Sequence, residues 1–229
     1  MEVEYPNHGE ISLAHFGVLF LDEFTEFPKN ILELMRTPIE DKKITISRLN
    51  ATLTYPSNCM LVVSMNPCPC GYYGSLEKQC SCNESQISKY LGKVSGPVLD
   101  RIDIQIEVPS IKYEKIDSNN EDIKYSSCEI NKRVKNARDI QLKRYKKYDI
   151  YTNSELTPKL IEKFCELDNK SKEILKIAFN KLGLSARAYN KIIKVARTIA
   201  DLGKSTDIQV NHIAEAIQYR NLDKKFWNN

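Results

Sequence analysis

Apolar residues in the first half of the chain follow the patterns of β-strands. Val18–Asp22 (VLFLD) and Met60–Ser64 (MLVVS) are continuous apolar runs, which predict buried strands of a parallel sheet. Lys43–Ser47 and Ala51–Tyr55 alternate polar and apolar residues on either side of a short turn and predict a β-hairpin. Ile102–Val108 alternates in the same way and predicts a further strand. The pattern indicates an α/β region with a hairpin insertion.

One helix and one long loop are predicted between these strands. Pro28 opens a stretch with helical apolar positions that continues through about Met35. Pro38 is expected to end or kink this helix, because proline lacks a backbone N–H. Residues 66–82 are rich in proline, glycine and cysteine, a composition typical of a loop.

The second half of the chain has a different pattern. Residues 115–127 are polar and acidic and are interpreted as a linker. Beyond them five helices are predicted, several with a capping serine or threonine, a first-turn proline or a final glycine. They cover about 129–147, from Thr157-Pro158 onwards, about 169–182, Ser185 to about Asp201, and about 209–220. The predicted fold class is α/β, with a sheet-and-hairpin core over 1–114 and an all-helical domain over 128–229.

Composition changes this picture only slightly. The chain has 229 residues, 41% of them apolar, and a net charge of +4, so it can form a core but is too weakly basic to indicate nucleic-acid binding by charge alone. The charge is concentrated in residues 129–147, with eight Lys or Arg against two acids. Because the sequence has neither an apolar run long enough for a membrane span nor the features of a signal peptide, a cytoplasmic protein without membrane contact is expected.

The segment Gly17–Glu23 (GVLFLDE) carries the first candidate chemistry. Ligands of open α/β sheets bind at the carboxyl ends of the strands, and this strand would place two carboxylates there. Asp22 is a candidate for holding Mg²⁺ through the ion's water shell, and Glu23 for polarising an attacking water. A strand that merely ends in two solvated acids explains the same residues.

Three further polar residues suggest chemistry in a similar way. Asn66 follows an apolar run, where its amide could orient a water against a γ-phosphate, or it could simply form a turn before Pro67. Arg101 follows a Gly-Pro turn and is either a surface residue or an arginine finger that stabilises transition-state charge in a neighbouring subunit. Arg187 stands at the start of a predicted helix, as a phosphate sensor or as part of a solvated basic face.

Four of the seven cysteines lie within fifteen residues, as Cys68, Cys70, Cys80 and Cys82. In a reducing compartment such clustering indicates a metal before disulfides. We therefore predict a structural Zn²⁺ site with four thiolates in tetrahedral geometry. A loop of reduced, unligated thiols is the alternative, because C-x-C is less usual in zinc sites than C-x-x-C.

The order of these elements resembles that of an AAA+ ATPase. Four segments, GEISLAHFGVLFLDEF, MNPCPCGYYG, SGPVLDRIDI and SARAYNKIIKVARTIADL, look like those of the ComM/YifB family of magnesium-chelatase-like proteins. The resemblance runs from about His8 to Arg220. Carried over residue by residue, it makes Asp22 and Glu23 the Walker B pair, Asn66 sensor 1, Arg101 the arginine finger and Arg187 sensor 2.

The resemblance implies a partial AAA+ P-loop NTPase core over 1–114 and a helical lid over 128–229, with ATP and Mg²⁺ as cofactors of the intact protein. It also implies a homo-hexameric ring around DNA that drives branch migration during natural transformation, or competence. The hairpin matches the family's pre-sensor-1 hairpin, so that Lys42, Lys43 and Arg48 become candidate DNA phosphate contacts. An ordinary charged hairpin tip explains these three residues equally well.

The phosphate-binding loop of such an ATPase is not found in this sequence. The class requires G-x-x-x-x-G-K-[ST] between a strand and a helix. The similar string Gly203–Thr206 (GKST) follows a predicted helix, and Thr198 stands where the first glycine should be. Gly203 is therefore interpreted as a helix C-cap. We expect a fragment, whether expressed as such or from a truncated or split gene, with exposed apolar strand edges.

Three functions are compatible with these residues. The first is a subunit of a DNA-remodelling AAA+ motor. The second is a zinc-stapled module that binds DNA or a protein without turnover. The third is a magnesium-chelatase subunit that acts on a porphyrin. The cysteine loop argues against this third function, because the loop resembles that of the ComM proteins within the family.

The chain as printed is expected to bind ATP poorly and not to hydrolyse it, because a backbone phosphate cradle and its lysine are missing from the sequence. A nucleotide titration of the purified chain, followed by calorimetry, measures this directly. ATP affinity in the micromolar range would contradict the expectation.

Overall fold

The computed structural model describes residues 7–48, 51–75, 77–109 and 125–220, apart from the side chains of Arg48 and Ala51. The chain divides into two compact units, Met1–Ile102 and Asp103–Asn229. The mixed α/β fold class with a helical second part is confirmed, as expected of a partial AAA+ fold. The predicted boundary at residue 114 and most of the predicted linker lie outside the described residues.

The first unit contains a parallel strand pair, a hairpin and short helices. Its strands are β1 (Val18–Leu21), β2 (Lys43–Arg48), β3 (Ala51–Pro56) and β4 (Met60–Val63), and its helices are α1 (Glu10–Leu13), α2 (Lys29–Leu34), α3 (Arg36–Asp41), α4 (Glu84–Leu91) and α5 (Gly96–Leu99). β1 pairs with β4 in parallel, and β2 pairs with β3 in antiparallel register. The predicted hairpin is therefore confirmed, and the two continuous apolar runs are strands of one parallel pair.

The predicted burial of the parallel strands is wrong, because residues along β1 and β4 alternate between exposed and half-buried and none is buried. Val18 pairs with Met60 and Phe20 with Val62, so that these four side chains share one face of the sheet. Val18, Phe20 and Met60 are 58–60% exposed. A sheet face becomes dry only where another element packs on it, and no described element covers this one. We call these four residues the open sheet face.

The strand predicted over residues 102–108 is wrong. Residues 102–109 carry no strand assignment, and Ile104, Ile106 and Val108 are exposed. The backbone N–H of Gln105 donates instead to the carbonyl of Tyr219, 2.9 Å away. Alternation gives a segment the capacity to be a strand, but a strand forms only beside a partner that completes its ladder.

Pro38 does not terminate helical structure. The helix that begins after Pro28 ends at Leu34, and a second helix, α3, starts at Arg36 with Pro38 as its third residue. The first turn of a helix has no internal partners for its N–H groups, so proline is tolerated there. The predicted kink is thus a break into two short helices one residue before the first turn of α3.

The described part of the second unit is helical, as predicted, apart from one isolated bridge between Leu167 and Ile208. Its helices are α6 (Ser127–Tyr145), α7 (Pro158–Phe164), α8 (Asn169–Leu182), α9 (Ala186–Leu202) and α10 (Val210–Gln218). The predicted caps are confirmed at Ser185, whose side chain accepts from the N–H of Ala188, and at Gly183, which ends α8 with φ +63°. Among the described helices, none is long and apolar enough to cross a membrane.

A buried charge cluster lies inside this helical unit. The carboxylate of Asp201 is fully buried and accepts from Arg144, from Arg197 at 3.1 Å and from the amide of Asn153 at 2.9 Å. The hydroxyl of Tyr145 donates to Asn153 at 2.7 Å. Burial disfavours the charge of Arg144, but its hydrogen bonds to Asp201 outweigh burial and raise the pKa of the guanidinium. The cluster joins α6 to α9 through charges that require each other.

We expect Asp201→Ala to reduce the free energy of unfolding of the helical unit by about 3–5 kcal/mol, because two guanidinium groups would lose their buried counter-charge. Urea denaturation followed by circular dichroism measures the change. Glu129→Gln is the matched control, since Glu129 pairs with Lys132 on the surface and should change stability by less than about 0.5 kcal/mol. Equal stability of the two variants would contradict the expectation.

Candidate functional site

The carboxyl ends of β1 and β4 meet at one edge of the parallel pair. Asp22 follows β1 and Ser64 follows β4, and the Ser64 hydroxyl donates a short hydrogen bond to the Asp22 carboxylate. The backbone N–H of Ser64 donates to the carbonyl of Leu21 at 3.0 Å, and that of Phe24 donates to the carbonyl of Ser64 at 2.9 Å. Asp22 is exposed and can accept the water shell of a cation.

Glu23 has a left-handed backbone, with φ at +51°. Such a conformation costs a non-glycine residue about 1 kcal/mol, so it persists only where neighbouring contacts impose it. Here the N–H of Glu23 donates to Asp22 at 3.0 Å, and the next two side chains, Phe24 and Thr25, are fully buried. The turn therefore leaves the Glu23 side chain exposed at the strand end beside Asp22.

Asn66 is exposed two residues beyond Ser64, where the chain enters the cysteine loop. Its Oδ1 lies against Gly71, so close that a Cβ on that glycine would stand 4.0 Å from it. Gly71 has φ +81°, and its N–H donates to the carbonyl of Cys68 at 3.0 Å. The tight turn of the cysteine loop thus lies directly beside the candidate sensor.

Arg101 lies just beyond α5, with 11% of its side chain exposed. Its guanidinium donates to the carbonyl of Arg36 at 3.1 Å, to the carbonyl of Pro97 at 2.7 Å and to the carboxylate of Glu40. The structure thus holds this residue within its own unit. A role as a finger requires that these contacts be exchanged for a phosphate.

Arg187, Lys42 and Lys43 are exposed. Arg187 lies in the first turn of α9, in the second unit. Lys42 ends α3 in a left-handed conformation, with φ +56°, and Lys43 begins β2. The Arg48 side chain lies outside the described residues. Of the predicted set, the structure places Asp22 and Glu23 directly after β1 and Asn66 three residues beyond the end of β4, and it describes Arg187 in a separate unit.

The four clustered cysteines converge. The Sγ atoms of Cys68, Cys70 and Cys80 are 3.4–3.7 Å apart, and all four sulfurs, including that of Cys82, lie within 4.8 Å of one another. All seven cysteines are free thiols. A disulfide needs about 2.05 Å, whereas sulfurs bound to one Zn²⁺ at about 2.3 Å stand about 3.8 Å apart in a tetrahedron. The spacing fits a shared metal ion.

The protonation of these thiols is uneven. Backbone N–H groups of Tyr72 and Ser81 stabilise the Cys70 thiolate and lower its pKa to about 5. The N–H of Cys82 also favours the Cys80 thiolate, but burial and the neighbouring sulfurs outweigh it and raise the pKa of Cys80 to about 12. Four thiolates at this separation therefore require a divalent cation to balance their charge.

The GKST string is confirmed as part of a helix end. α9 ends at Leu202, Gly203 is its C-cap, and the backbone of Lys204 is left-handed with φ +56°. The carbonyls of Ser205 and Thr206 accept from the buried guanidinium of Arg197, at 2.7 and 2.9 Å. A phosphate cradle presents N–H groups to its ligand, whereas this turn presents carbonyls to an arginine.

Two contributors to the site were missed from the sequence. Ser64 holds Asp22, and a serine at the end of a parallel strand is a signal that could have indicated this. Glu40 pairs with Arg101, 61 positions along the chain, and its sequence surroundings contain no such signal.

Comparisons with known proteins match nearly the whole chain. The family model described as magnesium chelatase, subunit ChlI, matches residues 3–116, and that of its C-terminal part matches residues 124–220. The chain is 45% identical to the competence protein ComM of Haemophilus influenzae, over 94% of this chain and 41% of the relative. It is 42% identical to the uncharacterized protein YifB of Escherichia coli, over 96% and 42%.

A third relative is more distant. An uncharacterized protein of Mycobacterium tuberculosis is 32% identical, over 93% of this chain and 41% of the relative. The chain thus spans about two fifths of the length of the curated relatives that it matches.

Proposed function

Because the chain belongs to the magnesium-chelatase-like family of AAA+ ATPases, together with ComM and YifB, we propose that it is the catalytic-edge and lid part of an ATP-driven DNA-remodelling helicase. The observation that carries the proposal is the edge at which the Ser64 hydroxyl holds Asp22 beside the strained Glu23. Two carboxylates of different function are needed at such an edge, and the structure presents two.

In this proposal Asp22 holds Mg²⁺ through the ion's water shell, because Mg²⁺ binds few carboxylates and retains several waters. Ser64 orients the Asp22 carboxylate by its hydrogen bond. Glu23 polarises the attacking water, and Asn66 orients that water from the neighbouring strand end. Bound ATP would supply the γ-phosphoryl group on which these residues act. Hydrolysis also requires a phosphate-binding loop in addition to these residues.

The assembly belongs to the proposal as well. Arg101 would act on the nucleotide of a neighbouring subunit and Arg187 on that of its own, which requires a ring such as a homo-hexamer. DNA in the ring would meet the hairpin formed by β2 and β3. Lys42 and Lys43 are exposed at the start of this hairpin, and with Arg48 they would neutralise DNA phosphates.

The second cofactor that we propose is zinc, bound by Cys68, Cys70, Cys80 and Cys82. Sulfur spacing close to that of a tetrahedral site supports it, and so does the burial of Cys68, which is 0% exposed. The ion would be structural, since four thiolates leave no open position for a substrate. It would close the loop that begins at Asn66.

We expect one zinc ion per chain by elemental analysis. Cys82→Ser should lose most of this zinc, because three thiolates bind it less tightly than four. Cys128→Ser is the matched control, since Cys128 is exposed and lies outside the cluster. A folded, metal-free wild-type chain would refute the zinc site.

We expect Lys42→Gln/Lys43→Gln to weaken DNA binding by the chain, measured as fluorescence anisotropy of a labelled four-way junction. Removal of two phosphate contacts should make the slope of log K against log salt less negative by about 1.4–1.8. Glutamine removes the charge while keeping a flexible polar side chain, and it adds no strain at Lys42, whose φ is already positive.

The matched control for that experiment is Lys146→Gln/Lys147→Gln, which removes the same charge from an exposed site of the helical unit. Equal weakening by both double variants would show attraction by net charge alone and would contradict a DNA contact at the hairpin.

A second candidate is a zinc-stapled module that binds DNA or a protein without turnover. The cysteine cluster favours it, because it is a complete ligand set, whereas the phosphate cradle is not found in the sequence. The two candidates differ in one measurable property. A longer protein that contains this chain and a phosphate-binding loop should hydrolyse ATP faster with DNA if the motor proposal holds, and Glu23→Gln should abolish that hydrolysis.

A further inference from the structure

Arg101 contacts both ends of one short helix. Its Nε donates to the carbonyl of Arg36, the first residue of α3, and its terminal nitrogen pairs with Glu40 in the last turn of α3. Its other terminal nitrogen donates to the carbonyl of Pro97 in α5 at 2.7 Å. One guanidinium therefore fixes α3 to the segment after α5.

α3 is not held in place by burial of its own side chains. It is six residues long, it contains no buried residue and no side chain caps its N-terminus. Six residues are too few for a helix to be stable by itself, so α3 depends on contacts made from outside. Apart from Arg101, these include the pair between Arg36 and Glu33 of α2, at 3.0 Å.

α3 is also the base of the hairpin. Lys42 joins α3 directly to β2, and its carbonyl accepts from the N–H of Ser57, the residue after β3, at 2.8 Å. The Ser57 hydroxyl donates to the carbonyl of Pro38 within α3, and Ser57 is 3% exposed. The hairpin thus begins at the end of α3 with β2 and returns to α3 at the end of β3.

We propose that the Arg101–Glu40 pair is a latch that couples the candidate finger to the position of the DNA-facing hairpin, with Glu40 as the positioning residue. The roles of finger and hairpin rest on the proposed function. While Arg101 contacts α3, the base of the hairpin is held. When the guanidinium turns to the phosphate of a nucleotide in a neighbouring subunit, its hydrogen bonds to Arg36, Glu40 and Pro97 break together. The base of the hairpin is then released.

The geometry explains why one residue can serve both purposes. Arginine presents several N–H donors in a planar fork, which suits a carboxylate and a phosphate equally well. The Glu40 carboxylate accepts from an N–H donor that a phosphate at Arg101 would need. Arg101 therefore cannot pair with Glu40 and bind a phosphate at the same time. Phosphate binding at Arg101 changes how the hairpin is held, without a further contact between the phosphate and the hairpin.

The experiment is hydrogen exchange of the purified chain, which needs neither nucleotide nor DNA. Glu40→Gln should accelerate exchange of the backbone amides of β2 and β3 about tenfold, because a charge-assisted bond at their base is lost. Arg101→Lys, which keeps the charge but not the fork, should accelerate the same amides at least as much. The amides of β1 and β4 should exchange as in the wild type.

Glu26→Gln is the matched control, because Glu26 pairs with Lys93, which lies in the same unit but outside α3 and the hairpin. Unchanged hairpin exchange in Glu40→Gln would overturn the latch, as would equal acceleration of all four strands, which indicates general loosening. Hairpin-specific acceleration in a chain whose hairpin variants bind DNA normally would support the latch while refuting the DNA contact. The two failures are thus distinguishable.

Discussion

The parallel pairing of β1 with β4 is the contact on which the candidate site depends. Neighbouring parallel strands end at the same edge of the sheet. Backbone pairing of the strands therefore brings together residues that are far apart in sequence. The pairing places Ser64 against Asp22 and fixes the point from which the chain continues into Asn66 and the cysteine loop. If the register slipped by one residue, Asp22 would lose its hydrogen bond from the Ser64 hydroxyl. The side chains that now form the open sheet face would no longer stand side by side.

Much of this arrangement could be predicted from the sequence, because it follows from local rules. Continuous apolar runs identified the parallel strands, and alternation of polar and apolar residues identified the hairpin strands. Capping residues such as Ser185 and Gly183 identified helix ends in the second unit. Resemblance then identified the family, since the ordered polar residues that follow the strands are far more specific together than singly. The GKST string was rejected on local grounds that the Arg197 contacts confirm.

What could not be predicted depends on partners rather than on pattern. Residues 102–108 alternate as a strand does but pair with no strand among the described residues, and Val18 and Phe20 are apolar yet exposed. The Arg101–Glu40 pair and the Asp201 cluster join positions dozens of residues apart through charge, which no periodicity reports. The roles assigned to Asp22, Glu23, Asn66, Arg101 and Arg187 remain proposals that rest on resemblance and geometry.

The open sheet face has a thermodynamic consequence. Four large apolar side chains in contact with water stabilise nothing while they are exposed, yet each would contribute on the order of 1–2 kcal/mol once covered. Any molecule that covers them binds the folded unit and not the unfolded chain, and so shifts the folding equilibrium by mass action. The stability of the first unit would then depend on the concentration of that molecule as well as on the sequence.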